Sequence, residues 1–378
     1  VWRWLPWLVL ISLGTAGCQR DIEYPANYRE FAYITNGGSN TVTVLDVVNM
    51  RQDRVLAVGA TPMAIAASPT RNEVYAVNSG SGTVSVINAE NNTVAATIGV
   101  GRQPHSIDVD AEGKRAYVAN AGSNNVSVID LAQRRVVAVI GAGESPSAAR
   151  IAPDNKTLVI TNRASGSVSI ADVPSLRVRS TFDHCPGAAD AIILPDSSKA
   201  FIPCTGGHQI LVIGLAHASG SYPLARDVLL SFLDVGKSPL HIALKPDGGE
   251  AFVANYDSDT ISELTTSSNE VGGAYLVGAH PVHGLVSSDN SLLYVSDFSS
   301  GQITIYSIDD GKRIGSVKVG EGPNALAFAA SGRYLLVVNS QSGDIAVVRT
   351  NVNPASLLTF FPAGRDPNGI AVKAFLVH

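Results

Sequence analysis

The chain has 378 residues, a formal net charge of −5, 45% hydrophobic residues and only 16% charged ones, well under the roughly 25% charged of an average soluble domain. That balance excludes a disordered chain and a basic nucleic-acid-binding surface. The 35 Gly and 19 Pro punctuate segments rich in Val, Ile, Thr and Ser, which favours short strands over long helices.

At the N-terminus, Arg3 precedes an apolar run from Leu5 to Leu13 and then Thr15-Ala16-Gly17-Cys18. This is the charged, apolar, small-residue order of a secretory signal, and the run is too short for a membrane span. Small residues before a Cys resemble the bacterial lipobox, which implies lipidation of Cys18 and removal of residues 1–17. Gln19 in place of Asp then favours an outer-membrane lipoprotein facing the periplasm or the cell surface. Residues 18–30 read as a polar tether. All three Trp lie within the first seven residues, so the remainder is poor in aromatic platforms for sugars or stacked bases.

From residue 31 onward one tetrapeptide recurs: Tyr33-Ile34-Thr35-Asn36, Tyr75-Ala76-Val77-Asn78, Tyr117-Val118-Ala119-Asn120 and Val159-Ile160-Thr161-Asn162. Then come Phe201-Ile202-Pro203-Cys204, Phe252-Val253-Ala254-Asn255, Tyr294-Val295-Ser296-Asp297 and Leu336-Val337-Val338-Asn339. Their last positions step by 42, 42, 42, 42, 51, 42 and 42, a period of structural repeats. Within a unit, a Pro such as Pro104 precedes a short apolar strand A. A turn such as Pro153-Asp154-Asn155-Lys156 leads to strand B, the Tyr-Val-x-Asn segment. Strand C follows, as in Val126 to Asp130, and strand D, as in Val136 to Ile140, ends near Gly-x-Gly. Four antiparallel strands per unit make one propeller blade. No unit offers 10 to 12 residues at helical spacing, so a helical solenoid is excluded.

The first unit begins at strand B, and the segment after Pro367-Asn368-Gly369 supplies an extra strand A. The expected fold is therefore an all-β, eight-bladed propeller over 31–378, its ring closed by the C-terminal strand, with seven blades as the alternative. These repeats resemble the YVTN family of β-propeller proteins across that whole span. The resemblance implies an innermost strand A, with the loop before it at the mouth of a central channel where ligands bind.

Aligned on that loop, the eight units give a column of Ala64, Ser106, Ala148, Asp190, His241, His283, Ala325 and Gly369. Three consecutive blades thus exchange a small residue for Asp, His and His, with His280 in the same loop as His283. Carboxylate and imidazole suit zinc or copper, so Asp190, His241, His283 and His280 form a candidate metal site. The other reading is a wet channel lined by His. His105, Arg102, Lys237, Asn324 and Asn368 complete the expected ligand-binding mouth. Cys185 and Cys204, 19 residues apart on the same face, are expected to pair in an oxidising compartment, against a soft-metal alternative with His184 and His208.

No G-x-S-x-G, Walker, CxxC or CxxCH motif occurs. The function expected is an exported, lipid-anchored, monomeric binding or scaffold propeller that takes a protein or small molecule at its channel face. It meets the membrane through the anchor alone and has no nucleic-acid partner. Two rivals stand beside it. One is an enzyme or cofactor subunit, lactonase-like, amine-dehydrogenase-like or haem-d-binding. The other is a surface adhesion module.

Overall fold

The computed structural model describes residues 24–216 and 224–377, so Cys18 and the expected signal segment 1–17 lie outside the described residues. Eight four-stranded antiparallel sheets form a ring. Blade 2 shows the plan, with strands Pro62–Ala67, Glu73–Asn78, Thr83–Asn88 and Thr93–Gly99 as A to D. Blade 1 joins the two ends of the chain: Pro367–Leu376 is its strand A, beside Tyr28–Asn36, Thr41–Asp46 and Arg51–Ala57. The expected eight-bladed closure is what the structure has, and seven blades is excluded. The first strand begins at Tyr28, paired with Leu376, three residues before the expected start of the propeller at residue 31.

Burial follows from the repeat. Strands B and C are covered on both faces by neighbouring blades, so their residues are nearly all buried, as in Glu73–Asn78, whereas strand D at the rim is largely exposed, as in Thr93–Gly99. The core is therefore not one mass. It consists of eight apolar layers, one between each pair of adjacent blades.

Strand B ends in Asn in six of the eight blades, and that Asn organises the corner. Asn120 donates from Nδ2 to Asn125 Oδ1 (2.8 Å) and Ser127 Oγ (2.9 Å), while its Oδ1 accepts the Gly101 N–H (3.1 Å). Gly101 must be glycine here, because a Cβ would lie 2.6 Å from the Asn120 side chain. The same bond links Gly143 to Asn162 and Gly364 to Asn36. In blade 5 the two positions are Cys185 and Cys204, joined as a disulfide. A covalent bond thus stands where blades 1, 3 and 4 use a glycine–asparagine hydrogen bond, while in blades 2, 6 and 8 the asparagine Oδ1 is buried without a partner.

Strand order also fixes the faces. The D-to-A loops and B-to-C turns share one face, which carries the channel mouth. The A-to-B and C-to-D turns share the other, where both ends of the described chain meet: Asn27 Nδ2 donates to the Val377 carbonyl (2.9 Å), and the Val377 N–H to the Asn27 carbonyl.

Candidate functional site

Strand A lines the channel, and its register places the expected column on one rung. Ala64, Ser106, Ala148, His241, His283 and Ala325 each face the residue just before the corner position of strand B: Val77, Ala119, Thr161, Ala254, Ser296 and Val338. Blade 5 departs from this. Pro203 in its strand B has no N–H to give the ladder, so strand A is reduced to Ile192–Ile193 plus a bridge from Ala188 to Cys204. Asp190 lies in the irregular stretch between them, free to turn toward its neighbours.

That turn decides the chemistry. Arg150, two residues further along strand A of blade 4 than Ala148, grips Asp190 through both arms: Nε to Oδ1 at 2.7 Å and Nη2 to Oδ2 at 2.6 Å. Each side chain is about a third exposed, 33% and 31%, because the pair lines the channel wall. Burial alone would raise the Asp190 carboxyl, but the Arg150 charge and hydrogen bonds outweigh it and hold it below the usual carboxylate range. On the blade before, Asp108 accepts the Ile151 N–H at 2.9 Å, and burial pushes its carboxyl up against the opposing pull of Arg150.

His241 and His283 come together in adjacent blades with ring centroids 3.9 Å apart and planes tilted by 33°. Nδ1 of His241 accepts the Gly284 N–H at 3.3 Å, so its proton is on Nε2. Burial, aided by the Arg150 charge and opposed by Asp190, pushes His241 down to about 4. Burial and the neighbouring His241 push His283 well down too, so both rings are neutral at pH 7. The Nδ1 of His283 is buried without a hydrogen-bond partner, a costly state for a polar atom.

The expected four-residue metal shell is not assembled. Asp190 is engaged by Arg150, and His280 stays out in the loop, stacked on Tyr256 at 4.4 Å with Nδ1 2.6 Å from Ser299 Oγ. Among the described residues no group of three or more His, Cys, Asp or Glu is placed to hold a metal ion. The soft-metal alternative fails as well, since Cys185 and Cys204 bond each other. His208 takes a left-handed turn position (φ 56°), where its Nδ1 accepts the Ser238 N–H.

The remaining mouth residues divide. Arg102 and Lys237 are exposed on the loops of the mouth face. Asn368 is a staple between blades, donating to the Pro62 carbonyl at 3.2 Å and accepting from the Thr35 hydroxyl at 2.7 Å, while Asn324 donates to the Pro367 carbonyl at 3.4 Å but keeps a buried Oδ1 with no hydrogen-bond partner. His105 holds the same position and donates from Nδ1 to the Ser147 carbonyl at 2.9 Å, which leaves Nε2 as an acceptor. Burial lowers His105 despite that bond. Asp108 and Arg150 were missed from the sequence, although they are the only charges in a strand A column otherwise filled by Ala66, Ile192, Ala243, Leu285, Ala327 and Ala371.

Fold and site together define an eight-bladed β-propeller with a polar half-channel. Residues 14–152 match the model of the YNCE-like beta-propeller, and residues 277–363 match that of the seven-bladed beta-propeller lactonases. No curated protein matches the chain. Among solved structures, dihydro-heme d1 dehydrogenase NirN in complex with DHE is 17% identical, with TM-score 0.71 over 93% of this chain and 76% of that one. Hydrazine synthase of Kuenenia stuttgartiensis is 20% identical, with TM-score 0.60 over 85% and 92%. A putative 6-phosphogluconolactonase from Bacteroides uniformis is 16% identical, with TM-score 0.62 over 92% and 100%. At these identities the likeness is one of fold.

Proposed function

We propose that the protein is an exported propeller, anchored to the outer membrane by lipid on Cys18, that binds a small polar ligand at the channel mouth. The observation carrying this reading is the buried, unpartnered Nδ1 of His283, whose ring lies close against His241 beside the Arg150–Asp190 pair. Neutral imidazoles and a guanidinium with N–H groups beyond those spent on Asp190 offer donors and acceptors at close quarters, the usual means of fixing a ligand's orientation. Since Arg150 and Asp190 cancel and both imidazoles are neutral, a small hydrogen-bonding molecule fits better than a strongly charged one. Lactonase or haem chemistry belongs to the proteins of similar fold and is not put forward for this chain.

A second reading places zinc or copper on the two imidazoles, and it draws on the same unpartnered Nδ1, since neutral His is the ligand form. Metal analysis of protein purified without a His-tag separates the two. Metal at one per chain, lost on His241→Ala/His283→Ala, would establish the second reading, whereas metal-free protein is expected under the first. The anchor is tested apart from the ligand: Cys18→Ser should release the protein from the membrane fraction or leave unprocessed precursor, and a variant that is processed and fractionates as before would contradict the lipid anchor.

A further inference from the structure

The grooves between blades open on the face opposite the channel mouth, and in the repeat a residue just before strand D of the next blade fills them. The Tyr33 hydroxyl donates to Asn92 (2.5 Å). Arg134 reaches back to Glu73 (2.8 Å), whose other oxygen accepts from Tyr75 (2.8 Å). Lys199 donates to Asn269 (2.8 Å), while Leu176 and Met50 pack on the apolar layers beneath them. All five filling residues hold left-handed backbone, with φ from 47° to 58°, at the end of a four-residue turn.

Between blades 7 and 8 this filling is missing. Blade 8 has six residues, 350–355, between strands Asp344–Arg349 and Ser356–Pro362, and Leu292 stands where Glu73 and Lys199 stand in their blades. The result is a cleft of two lobes, about 420 and 390 Å³, that share Leu292, Tyr294, Thr350 and Asn351. Its floor is Tyr294 with Phe328 edge-on at 5.5 Å. Strand D of blade 7 opens the second lobe at Gly315, where a Cβ would meet nothing within 4 Å. At Gly273, the same position one blade earlier, the Tyr275 hydroxyl already occupies the space, 2.8 Å from a Cβ.

We propose that this cleft is a second binding site, for a small uncharged molecule with an aromatic or apolar body and one or two hydrogen-bonding groups. Each lobe has the volume of a small-molecule pocket, roughly 300–1,000 Å³. The walls supply Tyr294, Phe328 and Ile314 for an apolar body, and at the rim the Ser331 and Thr350 hydroxyl oxygens can accept from its polar groups, Thr350 already donating to the Gly332 carbonyl. Asp289 and Arg333 on the rim are opposite in charge, which favours a ligand with no net charge.

The probe is N-phenyl-1-naphthylamine, an uncharged aromatic amine that fluoresces when it leaves water, titrated into full-length Cys18→Ser protein so that no acyl chain or detergent competes for it. Saturable binding at one dye per chain is expected. Gly315→Phe, which fills the lobe, should weaken it by about tenfold or more, and His241→Ala/His283→Ala should leave it unchanged. If Gly315→Phe does not fold, Ile314→Glu decides instead: that side chain is 49% exposed, and the charge enters the same lobe. Absence of saturable binding, undiminished binding in a folded cleft variant, or loss in the channel variant would each overturn the proposal.

Discussion

Asp297 occupies a corner held by Asn in six of the eight blades, and it is fully buried. Its Oδ2 accepts from Thr304 (2.6 Å) and Gln302 (3.2 Å), but burial pushes the carboxyl up to about 6, against about 3.9 in an unfolded chain. The folded state then holds a proton that the unfolded state has lost, so stability falls as pH rises from about 4 to 6 and stays reduced above that. Asp297→Asn should stabilise the protein by on the order of 1–2 kcal/mol at pH 7.5 and by almost nothing at pH 4. Thermal melts at the two pH values check this, and an equal effect at both would refute the buried-acid account. At this scale the sequence was only partly legible. The 42-residue period placed Asp190, His241 and His283 in one column, but a column gives backbone positions and not partners. Arg150 lies two residues further along the preceding blade, and that diagonal step, invisible to rung-by-rung alignment, removes Asp190 from any shared shell. Burial, with a smaller push from the Arg150 charge, leaves His241 neutral down to about pH 4, lower than the pH near 6.5 at which an ordinary imidazole would charge.

Among elements, the corner of blade 5 shows how one contact can be made in two chemistries. Cys185 sits where Gly101 and Gly143 sit, 19 residues before the corner residue of strand B, as they do. By loop-closure arithmetic such a crosslink contributes roughly 3 kcal/mol. Cys204→Ala should therefore lower the melting temperature by several degrees, through loss of the crosslink and of buried packing. Cys185→Gly/Cys204→Asn should recover part of that loss, because it rebuilds the glycine–asparagine bond that blades 1, 3 and 4 have. A double variant no more stable than the single one would show that this corner cannot accept the repeat's own solution. The period made the strands readable, and the near-constant spacing made the pairing of the two Cys a reasonable expectation. The collapse of strand A in blade 5 was harder to see, because it follows from the ladder donor that Pro203 lacks and not from the apolar pattern of strand A itself.

The whole molecule is a ring with two unlike faces. Closure rests on Pro367–Leu376, which pairs with Tyr28–Asn36 and packs Ile370 and Val372 into one interblade layer and Ala371 and Phe375 into the next. Deleting residues 370–378 should cost the protein about 10 °C of melting temperature or more. A truncated chain that melts like the intact one would mean that closure contributes little. The two ends of the described chain leave the channel mouth clear on the far side of the disc, and there the polar half-channel is the feature that departs most from an Ala- and Gly-lined repeat. The claim that this half-channel holds the ligand is tested most directly by native mass spectrometry of protein extracted from the cell envelope without a His-tag. Wild type should carry a one-to-one mass above that of the same lipidated chain measured after denaturation, and His241→Ala/His283→Ala, folded and equally extracted, should not. An identical excess on both, or none on either, would contradict it.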